Sequence, residues 1–178
     1  MKTLQQIIAV LCIFAAGIIL TAAICGATTI CQAVPQLSKV VPEICNYEIY
    51  KAPKKMDKGI NVAVGVKKYK GQNFIVFSSD VFTKLNDQEF VCVLLHEAGH
   101  IALKHKIRKT RAQNHKDEFE ADRFMKDKSV QRMGMKPDAC TNMLITLYIN
   151  GLEMGIDHSV ASNTHPSITD RVERLRRN

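Results

Sequence analysis

Tryptophan is absent from this 178-residue sequence, aromatic residues make up only 6% of it, and no two cysteines have the CxxC spacing. The missing CxxC pairs exclude a cysteine zinc ribbon, and the scarcity of aromatic rings weighs against nucleic-acid binding. The six cysteines imply no disulfide framework, although Cys45 and Cys140 could pair. The content of 46% hydrophobic and 24% charged residues is that of a globular protein. We therefore expect one folded domain with one appended segment.

Charge is nearly missing from the first 38 residues, where Lys2 is the single charged side chain. Residues 7–30 form an apolar run of 24 residues, and a helix of that length would span about 36 Å, enough for a bilayer core of about 30 Å. Cleaved signal peptides have shorter apolar cores. Residues 1–33 are therefore predicted to be a single-pass transmembrane anchor. The alternative is a cleaved signal peptide, which would leave a secreted or periplasmic protein. The distribution of lysines favours a cytoplasmic domain only weakly.

The remaining sequence divides into strands and then helices. Residues 34–59 are predicted to form a tether with few internal contacts and the first strand region, and residues 60–178 to form the main domain. Residues 60–66 and 74–77 have the Val, Ile and Phe content of two strands joined by a basic hairpin. Helices are expected from Asn86 to about Lys104, over about 117–133, from Pro137 to 151 and after Pro166. This order predicts an α+β fold in which helices pack on a small antiparallel sheet.

The strongest motif is the HExxH sequence that begins at His96. His96 and His100 are four residues apart, so on a helix both imidazoles face one side and can bind one metal ion. Glu97 is displaced around the helix, where its carboxylate can contact a water molecule without being a ligand. Apolar residues precede the motif and would exclude water from the site. The motif predicts a metal-activated hydrolase.

A catalytic zinc ion normally has three protein ligands and one open position, so a third ligand is needed. The best candidate is Glu118, because Asp122 follows four residues later on the same helix face and can hydrogen-bond to a ligating histidine. Glu120 points elsewhere and is interpreted as a solvated charge. His105 and His115 are rival ligands, although basic neighbours suggest that both face solvent.

These motifs together resemble the gluzincin peptidases that include the HtpX heat-shock membrane protease and the CAAX prenyl protease. The resemblance covers roughly residues 60–178 and adds the Thr164-His165-Pro166 sequence and Arg171 to the HExxH and ExxAD-type elements. It implies a helical zincin core with one zinc ion on His96, His100 and Glu118. It further implies that His165 stabilises the oxyanion and that Arg171 orders the acidic groups near the metal. Only 17 residues lie between His100 and Glu118, fewer than in many members of the family.

We therefore expect a membrane-tethered zinc metalloendopeptidase with Glu97 as general base and a polypeptide as substrate. An ImmA/IrrE-type metallopeptidase, which also combines HExxH with a closely following glutamate, is the nearest alternative. A second alternative is a catalytically silent, zinc-stabilised module whose basic stretch contacts membrane headgroups. No nucleic-acid partner is expected, and the sequence does not determine the oligomeric state. The six charges of that stretch are Lys104, Lys106, Arg108, Lys109, Arg111 and Lys116.

Overall fold

The computed structural model describes residues 28–52, 64–69, 72–78, 84–106, 110–153, 155 and 157–177. Within these ranges no helix has the length and apolar character needed to cross a membrane. Residues 1–27 of the predicted anchor lie outside the described residues, as do residues 60–63 of the first predicted strand. The predicted anchor is thus described only at its end, from residue 28.

The segment after residue 28 belongs to the folded domain. It forms two short helices, α1 (Ile30–Ala33) and α2 (Leu37–Val40), and a 3-10 turn (Pro42–Ile44). The prediction of a tether with few internal contacts is wrong, because three apolar side chains of the predicted tether, like Ile30 just before it, are at least 99% buried in the main hydrophobic core. The prediction failed because two prolines within mixed polarity are typical of linkers but also of short helical turns. The four side chains are those of Ile30, Leu37, Val41 and Ile44.

A disulfide bond joins Cys31 to Cys45 and closes this segment, with their Cα atoms 4.8 Å apart. The suggested pairing of Cys45 with Cys140 is therefore wrong. Cys140 is a buried free thiol, and so is Cys92. The sulfur of Cys140 lies 3.2 Å from the hydroxyl of Ser129.

Among the described residues the sheet has three strands, β1 (Glu48–Ala52), β2 (Val64–Tyr69) and β3 (Gln72–Ser78), in the order β1-β3-β2. The predicted hairpin is present as the antiparallel pair β2–β3. The prediction of a purely antiparallel sheet is wrong, because β1 pairs with β3 in parallel, with Glu48 opposite Phe74. A parallel neighbour cannot be inferred from a hairpin pattern, since it depends on a longer connection.

The central helix, α3 (Asp87–Ala102), begins with the predicted capping box. The Asn86 side chain accepts a hydrogen bond from the backbone N–H of Glu89, whose carboxylate accepts one from the N–H of Asn86. The residues from Cys92 to Gly99 are all buried, and a helix that is buried on every side lies within a core. It contacts the 3-10 turn, β2 and two further helices.

Three helices complete the domain: α4 (Arg111–Met133), α5 (Ala139–Glu153) and α6 (Ile168–Arg177). Helix α4 begins six residues before the predicted start at 117 and ends at the predicted C-cap, Gly134, whose φ is 63°. Only glycine adopts this left-handed conformation at little cost. Helices α3, α4, α5 and α6 all contribute to one core. The α+β class is thus retained, with mostly helical structure around a small mixed sheet.

Candidate active site

The site forms where α3 and α4 pack closely as antiparallel helices. Gly99, inside the HExxH motif, is a point of close approach. A Cβ atom at this position would lie 3.1 Å from the Cα of Ala121 and 3.3 Å from its carbonyl oxygen. Two small residues therefore set the distance between the helices at this point, Gly99 next to His100 in sequence and Ala121 next to Asp122.

The structure brings the three predicted metal ligands together. His96 and His100 extend from consecutive turns of α3, and their Nε2 atoms are 3.0 Å apart. The Glu118 carboxylate faces both rings, with its oxygens 3.5 Å from the Nε2 of His96 and 3.3 Å from that of His100. These three side chains form one of two groups of His, Cys, Asp or Glu among the described residues that could hold a metal ion.

Asp122 and Arg171 contact the predicted ligands His96 and Glu118. The Nδ1 of His96 is 3.0 Å from Asp122, which is the contact predicted from the ExxAD-type spacing. Arg171 of α6 donates two hydrogen bonds to Asp122, at 2.6 and 2.8 Å, and its Nη1 lies 3.4 Å from Glu118. A bidentate guanidinium–carboxylate pair is geometrically specific and strong. Arg171 thus links the last helix to the acidic groups of the site.

The electrostatics of the site favour positive charge between the histidines and the carboxylates. Burial would by itself lower the pKa of His96, but hydrogen bonds to Asp122 and Glu118 outweigh it and raise that pKa to about 10. Burial opposes ionisation of Asp122, yet the charge and hydrogen bonds of Arg171 lower its pKa to about 2. Hydrogen bonds from His100 and His96 likewise overcome burial and hold the pKa of Glu118 well below 4.5. Both carboxylates are therefore ionised at neutral pH.

Glu97 occupies a different environment on the same helix. It is buried, and this desolvation raises the pKa of its carboxyl above 4.5 because the opposing effect of His96 and His100 is smaller. A raised pKa makes a carboxylate a stronger base near neutral pH. Two glutamates of one site thus differ: Glu118 stays ionised, and Glu97 is prepared to accept a proton.

His165 reaches the site on the loop that precedes α6. Its Nε2 is 3.6 Å from the Glu118 carboxylate, and its Nδ1 is 2.8 Å from the Thr164 hydroxyl. The start of α4 holds this loop, because Asn114 donates to the Asn163 carbonyl and His115 lies 2.7 Å from the Ser162 carbonyl. Partial desolvation next to the site and the positive charge of Arg171 lower the pKa of His165, although its side chain is 58% exposed. His115, a rival ligand in the sequence analysis, thus contacts the loop that carries His165 and is not part of the group formed by the predicted ligands.

The prediction missed the other residues that reach His100. His105, predicted to face solvent, has a side chain only 7% exposed, with its Nδ1 3.1 Å from the Nδ1 of His100. Glu120, interpreted as a solvated charge, is 44% exposed but lies 3.2 Å from the Nε2 of His105. Spacing on an ideal helix cannot reveal these contacts, because His105 lies beyond the end of α3.

Comparison with protein families places this geometry in context. The family model described as Peptidase U49 matches residues 82–178, which is more than half of the chain. The chain belongs to peptidase family U49. The match spans every element that forms the site, from α3 to α6. No curated protein and no solved structure matches the chain significantly.

Membership of family U49 confirms part of the prediction. The protein is a proteolytic enzyme and its substrates are polypeptides, which disfavours the catalytically silent module. The assignments to an HtpX-type or an ImmA/IrrE-type enzyme are finer than the family match and stay predictions, as do zinc binding and the individual roles of the site residues.

Proposed function

We propose that this U49 peptidase is a zinc-dependent metalloendopeptidase of the gluzincin type, with a site similar to that of HtpX and CAAX prenyl proteases. The observation that carries the proposal is the convergence of two imidazole Nε2 atoms, 3.0 Å apart, on one carboxylate, whose Oε1 lies 3.3 Å from His100 and whose Oε2 lies 3.5 Å from His96. Two atoms that bind a tetrahedral zinc ion at about 2.1 Å are about 3.4 Å apart. The ligand atoms of the three side chains therefore lie about as far apart as the ligands of such an ion do.

The chemistry of the donor set supports the same ion. Two histidines and one glutamate are a familiar ligand set of catalytic zinc, which leaves one position open. Among the described residues no group donates a hydrogen bond to the buried Glu118 Oε2 atom, although Arg171 lies 3.4 Å and His96 3.5 Å from it. Buried oxygens without a hydrogen bond are uncommon in native structures. When bound, a zinc ion would supply Lewis acidity, lowering the pKa of a water molecule towards about 7 and polarising the scissile carbonyl.

The protein residues supply the remaining steps. The Glu97 carboxylate accepts a proton from the attacking water and then donates it to the leaving amine. When the His165 Nδ1 accepts a hydrogen bond from the Thr164 hydroxyl, the ring has its proton on Nε2 and donates it to the developing oxyanion. Asp122 accepts the Nδ1 proton of His96 and fixes its tautomer. Arg171 holds Asp122 in place through its two hydrogen bonds.

The test measures zinc content and cleavage of an unfolded model protein by the full chain. Glu97→Gln should keep its zinc and lose about 10²- to 10⁴-fold in rate, whereas Glu118→Ala should lose the zinc. Glu173→Gln is a matched control, because Glu173 is an exposed glutamate that pairs with Arg177 on α6. Cleavage by a wild-type protein free of metal, or full activity of Glu97→Gln, would refute the proposal.

The substrate is proposed to bind as an extended strand. Among the described strands, β2 lies at an edge of the sheet, and it contacts α3, which carries the histidines. An edge strand binds an extended peptide through backbone hydrogen bonds, so selectivity for single side chains should be modest. Profiling cleavage sites in a mixture of peptides tests this. A strict requirement for one side chain would contradict it.

The membrane tether and the compartment complete the proposal. The apolar sequence before residue 28 remains the proposed anchor, shortened because Ile30 is part of the folded core. The Cys31–Cys45 disulfide favours an oxidising compartment, which outweighs the weak lysine argument for a cytoplasmic domain. Alkaline extraction of membranes and thiol labelling of intact cells test both points. If Cys31 and Cys45 were reduced in the native cell, the proposal that the domain lies in an oxidising compartment would be contradicted.

A further inference from the structure

The end of α3 places a third histidine beside the HExxH motif. The N–H of Lys104 bonds to the carbonyl of Ile101, and the N–H of His105 bonds to the carbonyl of His100. These two hydrogen bonds define a Schellman motif, which requires a left-handed residue that is usually glycine. Here that residue is Lys104, with φ of 56°. The motif brings the side chain after the left-handed residue against the helix residue five positions earlier, which is His100.

His105 and Glu120 form a chain of polar contacts that leads from His100 towards the surface. The two imidazoles meet edge to face, with ring centroids 5.2 Å apart and Nδ1 atoms 3.1 Å apart. On the other side of His105, its Nε2 lies 3.2 Å from a carboxylate oxygen of Glu120. Lys116 lies 3.6 Å from the other oxygen of this carboxylate. His100 thus has a chain of polar contacts behind it, as His96 has in Asp122 and Arg171.

Only one arrangement of protons suits this chain when His100 binds a metal. A ligating Nε2 needs its lone pair, so a neutral His100 has its proton on Nδ1. The facing Nδ1 of His105 must then accept that proton in a hydrogen bond. His105 consequently has its own proton on Nε2, where it donates to Glu120. All four ring nitrogens of the two residues are then satisfied.

We propose that His105, held by Glu120, is a positioning residue that accepts the Nδ1–H of His100 and fixes the orientation in which His100 binds the metal. This inference rests on the proposed function. It also implies that the second group of candidate ligands, formed by His105, Asp117 and Glu120, does not bind a second metal ion. The Nε2 of His105 carries a proton in this arrangement, so it is not available to a second metal ion.

The test compares two substitutions of the same size in the full chain. Asparagine places an amide oxygen at about the position of the histidine Nδ1, whereas leucine has the same shape without an acceptor. His105→Leu should weaken zinc binding about 10- to 100-fold, the usual effect of removing such a partner. His105→Asn should recover most of the loss. The zinc Kd is measured by chelator competition, and the visible spectrum of the cobalt-substituted protein should change in His105→Leu alone.

A second variant avoids any folding defect caused by the buried His105 position. Glu120→Ala should weaken zinc binding several-fold, while Glu173→Ala, which removes an exposed glutamate of α6, should not. Wild-type zinc affinity in both His105→Leu and Glu120→Ala would overturn the inference about His105 and leave the proposed function standing. A Kd of His105→Asn equal to that of His105→Leu would also overturn it. A wild-type protein that binds no zinc would overturn both.

Discussion

Replacing Gly99 with alanine tests whether the close approach of two helices creates the metal site. The added Cβ would lie 3.1 Å from the backbone of Ala121 and 3.3 Å from the Cβ of Phe124. Neither neighbour is the flexible end of a side chain, so α4 itself must move by a few tenths of an ångström. Glu118, one turn before Ala121, would move with it. We therefore expect Gly99→Ala to separate Glu118 from the two histidines.

The expected magnitudes follow from overpacking and from ligand geometry. Forcing a methyl group into a packed core usually costs about 1–3 kcal/mol of folding stability. Metal–ligand distances tolerate only about 0.2 Å, so a shift of this size should weaken zinc binding at least about tenfold, equivalent to about 1.4 kcal/mol. Stability is measured by urea unfolding of the metal-free protein, and affinity by chelator competition.

Gly134→Ala is the matched control for this substitution. A Cβ at Gly134 meets no atom within 4 Å, but the residue has a φ of 63° at the end of α4. Alanine there should cost about 1–2 kcal/mol through backbone strain alone and leave the zinc Kd unchanged. If Gly99→Ala and Gly134→Ala weakened zinc binding equally, affinity would follow global stability, and our explanation of the helix contact would be refuted.

Three further predictions concern stability. Arg171→Met should destabilise the protein by about 3–5 kcal/mol in urea unfolding, because the buried Asp122 carboxylate loses both hydrogen bonds from the guanidinium and keeps only His96 as a partner; a loss below about 1 kcal/mol would contradict this. Replacing Cys31 and Cys45 with serine should cost about 3 kcal/mol, and a reductant should then have no further effect on unfolding. Lys104→Gly should raise stability by about 1 kcal/mol by removing left-handed strain, and a lower melting temperature would argue against that strain.

The ligand group could be predicted because it depends on local periodicity. Residues four apart share a helix face, so the spacing of His96 and His100, and of Glu118 and Asp122, fixes which side chains point together once both segments are helical. The capping box at Asn86 and the C-cap at Gly134 also act within a few residues. These features need no knowledge of the tertiary fold.

The N-terminal segment shows where such reasoning fails. Ile30 continues an apolar run that matches a membrane helix by length, yet it is fully buried in the domain. Cys31 pairs with Cys45, although neither cysteine has a spacing that indicates a partner. The parallel pairing of β1 with β3 likewise has no local sequence pattern that predicts it. Burial, disulfide pairing and strand order are set by contacts between distant segments, which hydropathy and spacing do not encode.

The short connection between α3 and α4 depends both on local sequence and on contacts between distant segments. His96 contacts Asp122, whereas His100, one turn later on α3, contacts Glu118, one turn earlier on α4, so the two helices are antiparallel. Only 17 residues separate His100 from Glu118. A connection this short requires α3 to end abruptly, and the Schellman motif at Lys104 ends it. The same turn directs His105 back onto His100. The compactness of this peptidase thus shapes its proposed metal site, because the turn that ends α3 also supplies a partner for a proposed ligand.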